Sequence, residues 1–264
     1  MKWSFAAAFL GALMLMLQSH EFWLEPLQFK IKSGDQLAVS FLVGEQFTGL
    51  PWDVTKNGVE SIQVFEHGGV KDLKSIIPKS KGAKLRVPLS AAGTKVLAMK
   101  SQASFIELKA DQFNEYLKED GMEEIYDWRV KNKQENLGAK EFYTRYSKLI
   151  VQVDDQLDDT WKKEIGHRLE IIPDQNPGTM KSGDYMGCQI LYEGKAVPHT
   201  LVKVWGHVGN KIFLQNIYSE NDGTIKFPMS ASGPWMVSTV KMEKSKNPDA
   251  DWESSWASLV FNIE

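Results

Sequence analysis

A single cysteine, Cys188, stands in a chain of 264 residues, so no disulfide can form within it. Its setting in "YMGCQILY" suits a small apolar residue buried in a strand. Neither sign of charge dominates. Lys and Arg number 31 against 34 Asp and Glu, a net charge of −3, which gives no electrostatic reason to expect nucleic acid as a partner. The chain has no G-x-S-x-G elbow, no H-E-x-x-H helix, no C-x-x-C pair and no glycine-rich phosphate loop. Asp251 and Glu253 in "DADWESSW" read as a solvated loop with anchoring aromatics rather than an acid–base pair. The expectation is a protein that is not an enzyme. Beyond the first 17 residues no apolar run is long enough to cross a bilayer.

Hydrophobic residues make up 42% of the chain and charged residues 25%, a globular composition. Nine Trp is a high count, and aromatic side chains favour half-buried pleated surfaces. At the amino terminus Lys2 precedes an uncharged run from Trp3 to Leu17, and Gln18-Ser19 follows. That is the pattern of a cleavable secretory leader over residues 1–19, with a soluble mature protein that is periplasmic or secreted.

Downstream, short alternating segments dominate. Leu37, Val39, Phe41 and Val43 fall on one face with period two, and Leu149, Val151 and Val153 do the same. Gly-containing turns punctuate them. A helical stretch interrupts at about 109–133: Phe113, Tyr116 and Leu117 share a face, Gly121 ends that helix, and Met122, Ile125 and Tyr126 continue on a second one. From Gly166 a linker leads into a second series of short strands with turns at Glu193-Gly194 and Asn221-Asp222-Gly223. The reading is mainly β, with units at 20–165 and 166–264, the second an all-β sandwich.

The residue that stands out is His20, immediately after the leader in "LMLQSHEFWLEP". A cut just before it leaves an α-amine and an imidazole on one residue. An α-amine has a pKa of roughly 7.7–8.0, so it can give up its proton to a divalent cation near neutral pH. Nitrogen ligands of this kind suit nickel, cobalt and copper. Further ligands must be recruited. His67 or His207 is the expected second histidine, and Glu21 an expected outer carboxylate. His167, His199, Met229, Met236 and Met242 read as ordinary turn or core residues.

"HEFWLEP", "VGEQF", "FNEYLKEDGMEEI", "EFYTRYSKLIVQV", "LEIIPDQNP", "SGDYMGCQILYEGKAV", "NDGTIKFPMSASGPWMVSTVKM" and "DWESSWASLVFNI" occur in this order along the chain. Together they resemble an uncharacterised exported bacterial family usually described as a periplasmic component of nickel/cobalt transport. The resemblance implies two β-sandwich units (immunoglobulin- or prealbumin-like), a bound nickel or cobalt ion, and a membrane metal-uptake transporter as partner. It places His20 at the metal. It also implies a histidine before the methionine of "STVKM", where this chain has Lys241. Two rivals remain at this point. One is a β-sandwich interaction module binding carbohydrate or protein through Trp52, Trp205, Trp252 and Trp256; the other is a copper oxidase with a histidine brace at His20.

Overall fold

A computed structural model describes residues 21–209 and 211–264; the expected leader, its cut and His20 lie outside them. Among the described residues the strands form three sheets. The central sheet has ten strands. In spatial order they are β15 (Lys211–Tyr218), β14 (Leu201–Val208), β17 (Gly233–Lys244), β18 (Trp252–Ile263), β10 (Ala139–Val153), β8 (Gly93–Ser101), β5 (Val59–Glu66) and β6 (Gly69–Asp72). Two further strands, β2 (Lys30–Ile31) and β9 (Ser104–Leu108), add along β10. The seam is β10 against β18, which run parallel from Glu141 beside Trp252 to Leu149 beside Val260. Parallel neighbours need a long crossover. Here that crossover carries the whole second cover of the sheet.

Each face of the central sheet has its own cover. The first cover is β1 (Glu21–Pro26), β3 (Gln36–Glu45), β4 (Thr48–Pro51) and β7 (Leu85–Pro88). The second is β11 (Leu169–Pro173), β12 (Tyr185–Tyr192), β13 (Lys195–Ala196) and β16 (Thr224–Pro228). Successive side chains of a strand point to opposite faces. On β8, Leu97 and Met99 pack with Trp23, Leu37 and Val87 of the first cover, whereas Val96 and Ala98 pack with Ile171, Cys188 and Phe227 of the second. On β18, Val260 joins the first core, and Leu259 and Phe261 the second. The molecule is mainly β, two sandwich-like packings back to back across one shared sheet. The covers divide at Gly166, and the shared sheet takes strands from both sides of it.

The helical insertion lies on the first face beside the first cover. A short α1 (Val54–Asn57) precedes it in the chain, and the insertion itself is α2 (Ala110–Glu119) and α3 (Glu123–Lys131). Phe113, Tyr116, Leu117 and Met122 pack on Val240, Met242 and Trp252. Gly121 has φ 68°, the Met122 N–H donates to the Leu117 carbonyl at 2.7 Å, and the Gly121 N–H to that of Lys118 at 3.4 Å. These two bonds are a Schellman closure, which needs a residue tolerant of positive φ. A Cβ on Gly121 would overlap Leu201, so the same glycine seats the helix end on β14.

The second core contains a buried ion pair. Lys148 Nζ lies 2.8 Å from Glu170 Oε1, with side chains 2% and 1% exposed. Glu170 also accepts from the backbone N–H groups of Ile165, Gly166 and His167. Burial works to raise its pKa, but Lys148 and the N–H donors outweigh that and hold its carboxyl below the ordinary range. A group whose pKa is lowered by folding lends stability above its unfolded pKa, and that stability is lost in acid. Replacing Glu170 with Gln strands the Lys148 ammonium in the core and is expected to cost about 3–5 kcal/mol by denaturant titration at pH 7. A loss under about 1 kcal/mol, the scale of an exposed pair, would contradict this role.

Candidate functional site

The start of β1 brings together the groups nearest in sequence to His20. Glu21, its first residue, pairs in register with Gly44 of β3, and the next residue of β3 is Glu45. The hairpin from β3 to β4 turns on Gln46 and Phe47, both at positive φ (51° and 52°). Two-residue hairpin loops of this hand favour Asn and Gly; a phenylalanine there is strained. Its ring is held by packing: Phe47 meets Trp23 edge-on at 5.5 Å and the His207 ring at 5.0 Å. A Cβ on Gly44 would overlap the Thr48 carbonyl oxygen, so "VGEQF" needs its glycine to make this turn.

Facing Glu21 is Lys203 of β14. It lies on the same face of β14 as Trp205, which packs in the first core, so its ammonium points toward the first cover and the helices. Lys203 Nζ is 2.6 Å from Asp120 Oδ1 and 3.5 Å from Glu21 Oε1. The Asp120 and Glu21 side chains are 2% and 4% exposed. Asp120 is the cap residue of α2, set by the Gly121 closure. Asp120 Oδ2 is buried without a hydrogen-bond partner, and the contact of Glu21 Oε1 is the 3.5 Å ion pair with Lys203. Burial lifts the Glu21 pKa from 4.5 to about 7 against the pull of Lys203, and Asp120 adds to the rise. Burial would lower the Lys203 pKa, but Asp120 and Glu21 raise it further, so it stays an ammonium. Glu119 shares this field, its pKa raised first by burial and then by Glu115 and Asp120.

A second buried carboxylate, Glu141 of β10, lies farther along the first face. It accepts from the Tyr116 hydroxyl at 3.2 Å and from the Ser254 hydroxyl, which itself accepts from Trp256 Nε1 at 3.0 Å. Tyr116 stacks on Trp256 with centroids 5.8 Å apart, and burial keeps its phenol protonated. The Glu141 pKa is raised to about 7, chiefly by burial.

The other residues singled out from the sequence are dispersed. His67 is exposed at the turn from β5 to β6, and His207 is half-buried on β14. Five inter-strand steps separate β5 from β14, on the order of 24 Å, so the structure does not bring His67 and His207 together. His207 lies four residues beyond Lys203 on the same strand, roughly 13 Å along it. His167 is half-buried against Tyr146, and its pKa is pulled down to about 4 by burial. Met229, Met236 and Met242 are core residues. Lys241 neighbours Met242 on β17 and so points to the opposite face. Trp52, Trp205 and Trp252 are buried and Trp256 half-buried, so this set makes no exposed aromatic platform. Among the described residues no group of three or more His, Cys, Asp or Glu is placed to hold a metal. Sequence reasoning missed Asp120, Lys203 and Glu141. A charged residue on the inward parity of "TLVKVWG", and "EDG" closing an amphipathic helix, were the available signals for the first two.

The raised Glu141 pKa sets a pH dependence. The folded protein holds this proton more tightly than the unfolded chain, so the contribution of Glu141 to stability is full below about pH 4.5 and is lost as pH rises through about 7. The shift is equivalent to up to roughly 3 kcal/mol. Glu141→Gln removes it, so stability measured by denaturation between pH 5 and 8 is expected to fall less steeply in the variant than in the parent protein. Parallel pH profiles would mean that Glu141 is not the buried carboxylate responsible.

No curated protein matches. Among solved structures, a tetra-tandem repeat in the extending region of a large adhesion protein matches at TM-score 0.23 and 8% identity, over 93% of this chain and 50% of that one. Dimeric latent PorU from Porphyromonas gingivalis matches at TM-score 0.20 and 12% identity, over 93% and 20%. Escherichia coli alpha-2-macroglobulin activated by porcine elastase matches at TM-score 0.20 and 10% identity, over 91% and 23%. The chain thus spans half or less of each of these, and scores this low carry no argument. A family profile, however, matches residues 17–243, from the end of the expected leader through β17, so the chain belongs to the DUF4198 family, a domain of unknown function.

Proposed function

We propose that this is an exported metal-binding protein that takes up a divalent transition ion, nickel or cobalt, as cargo in the periplasm for a membrane uptake system. His20 is the first ligand, through its imidazole and the α-amine created when the leader is removed. The observation that carries the reading is the group next to His20 in the chain. Glu21 and Asp120 share the single ammonium of Lys203, and Asp120 Oδ2 is buried without a hydrogen bond. Buried polar atoms are normally paired, and a buried carboxylate oxygen without a partner suits a cation. Imidazole and amine nitrogen with carboxylate oxygen are ligands that nickel and cobalt accept. Because only the unprotonated amine binds metal, affinity rises with pH through the roughly 7.7–8.0 range of the α-amine. No catalytic role is assigned.

Calorimetric titration of the mature protein, its mass confirmed to begin at His20, tests this with Ni²⁺, Co²⁺ and Cu²⁺. Binding is expected for the parent protein, at least tenfold weaker in His20→Ala and weaker at pH 6 than at pH 8. Equal binding by His20→Ala, or a mature chain beginning beyond His20, overturns the proposal.

A further inference from the structure

We infer that the outer edge of β15 is a self-association surface, where two copies of this chain pair their β15 strands antiparallel about a two-fold axis at Gln215. The central sheet ends in two edges, and they are unlike. β6 is four residues long, and Lys71 and Asp72 charge its exposed end. Short, charged strands are how proteins keep an edge from pairing with another chain. β15 has eight residues, "KIFLQNIY", with Lys211 as its one charge and no proline. Its pairing with β14 runs from Leu201 beside Tyr218 to Val208 beside Lys211 without a register shift, so no bulge turns this edge away. Among the described residues no strand pairs with its other side. Leu214 and Tyr218 are exposed there.

Backbone alternation sets which groups face outward. The Ser219 N–H donates to the Thr200 carbonyl just beyond the β14–β15 pair. Hydrogen-bonded pairs alternate along an antiparallel ladder, so Ile217, Gln215, Phe213 and Lys211 bond to β14. The N–H and C=O groups of Ile212, Leu214, Asn216 and Tyr218 therefore point away from it. A second copy fits these residues in one register. With Gln215 on the axis, Ile212 pairs with the partner's Tyr218 and Leu214 with the partner's Asn216, and each pair recurs across the axis. A shift of two residues either way leaves Ile212 or Tyr218 without a partner within the strand. The same register sets Phe213 beside the partner's Ile217, so apolar pairs form on both faces of the joined sheet. Charge agrees with it. Lys211 begins the strand and exposed Glu220 follows its end, so antiparallel pairing places opposite charges at each end. A foreign extended peptide would bond the same backbone groups, but the symmetry about Gln215 favours a second copy.

The test is sedimentation of the exported protein across micromolar concentrations, with amide hydrogen exchange of the parent and oxidative cross-linking of Gln215→Cys and Leu214→Cys. The parent is expected to form a dimer. Gln215→Cys is expected to cross-link to its own copy, because residues on the axis form a close non-hydrogen-bonded pair within disulfide reach. Leu214→Cys is expected not to, and the native Cys188 is buried. The amides of Ile212, Leu214, Asn216 and Tyr218 are expected to exchange more slowly as concentration rises. Asn216→Pro removes an outward N–H without touching the β14 ladder and is expected to weaken the dimer at least about tenfold. A parent that sediments as a monomer throughout overturns the inference. So does a dimer in which Leu214→Cys cross-links as readily as Gln215→Cys, or in which those four amides exchange alike at every concentration. A monomer whose outward amides are protected only by an added extended peptide assigns the edge to a foreign strand, and overturns it too. Should Asn216→Pro not fold, the two cysteine variants decide. No metal is added, so the outcome is independent of the role proposed for His20.

Discussion

The parallel pairing of β10 with β18 is the constraint on which the rest of the structure depends. It joins a mid-chain strand to the last one in the middle of the ten-stranded sheet and leaves that sheet with two apolar faces. Each face must be covered, because exposed apolar area is costly at about 25 cal/mol per Å². The first cover and the helical insertion share one face, and β11, β12, β13 and β16 take the other. Neither cover has a core of its own apart from the shared sheet.

The first face carries two kinds of cover, and polar groups collect where they adjoin. Along it lie Glu21, Lys203 and Asp120, then Tyr116, Glu141, Ser254 and Trp256, then the Ser258–Ser147 hydroxyl pair, with the Leu24 N–H donating to Ser147. In low dielectric such groups are costly unless paired. Most of them are paired; among these groups Asp120 Oδ2 is the exception. The second face handles charge differently. Glu170 there is ringed by one ammonium and three N–H groups. One face holds a satisfied ion pair, and on the other Glu21 and Asp120 share one ammonium. The strained Gln46-Phe47 turn lies on that face, between Trp23 and His207.

Much of the fold was legible in the sequence. The alternating strands, the amphipathic helix ended by Gly121 and the glycine turns rest on local rules, and the helices at Ala110–Glu119 and Glu123–Lys131 follow them. The second face of the central strands was harder to see. Leu149, Val151 and Val153 read as one apolar stripe, yet Ile150 between them is buried too, on the opposite side. A strand covered on both faces reads as a continuous apolar run, and "KLIVQV" and "SLVF" are such runs. Trp205 and Trp252, on strands of the central sheet, are core for the same reason, whereas Trp256 is half-buried.

At the site, what the sequence alone determined is chemistry of nearest neighbours: a histidine placed where a leader would be cut, with Glu21 bonded to it. Only the tertiary structure decided that Asp120, about a hundred residues downstream, and Lys203, on a strand of the later half, meet Glu21 within 4 Å of one ammonium. The physical reason is that periodicity reports which face a residue occupies, not what lies opposite. The partner across a buried face is set by how strands distant in sequence are ordered in the sheet, and here by a helix end that a single glycine seats on Leu201.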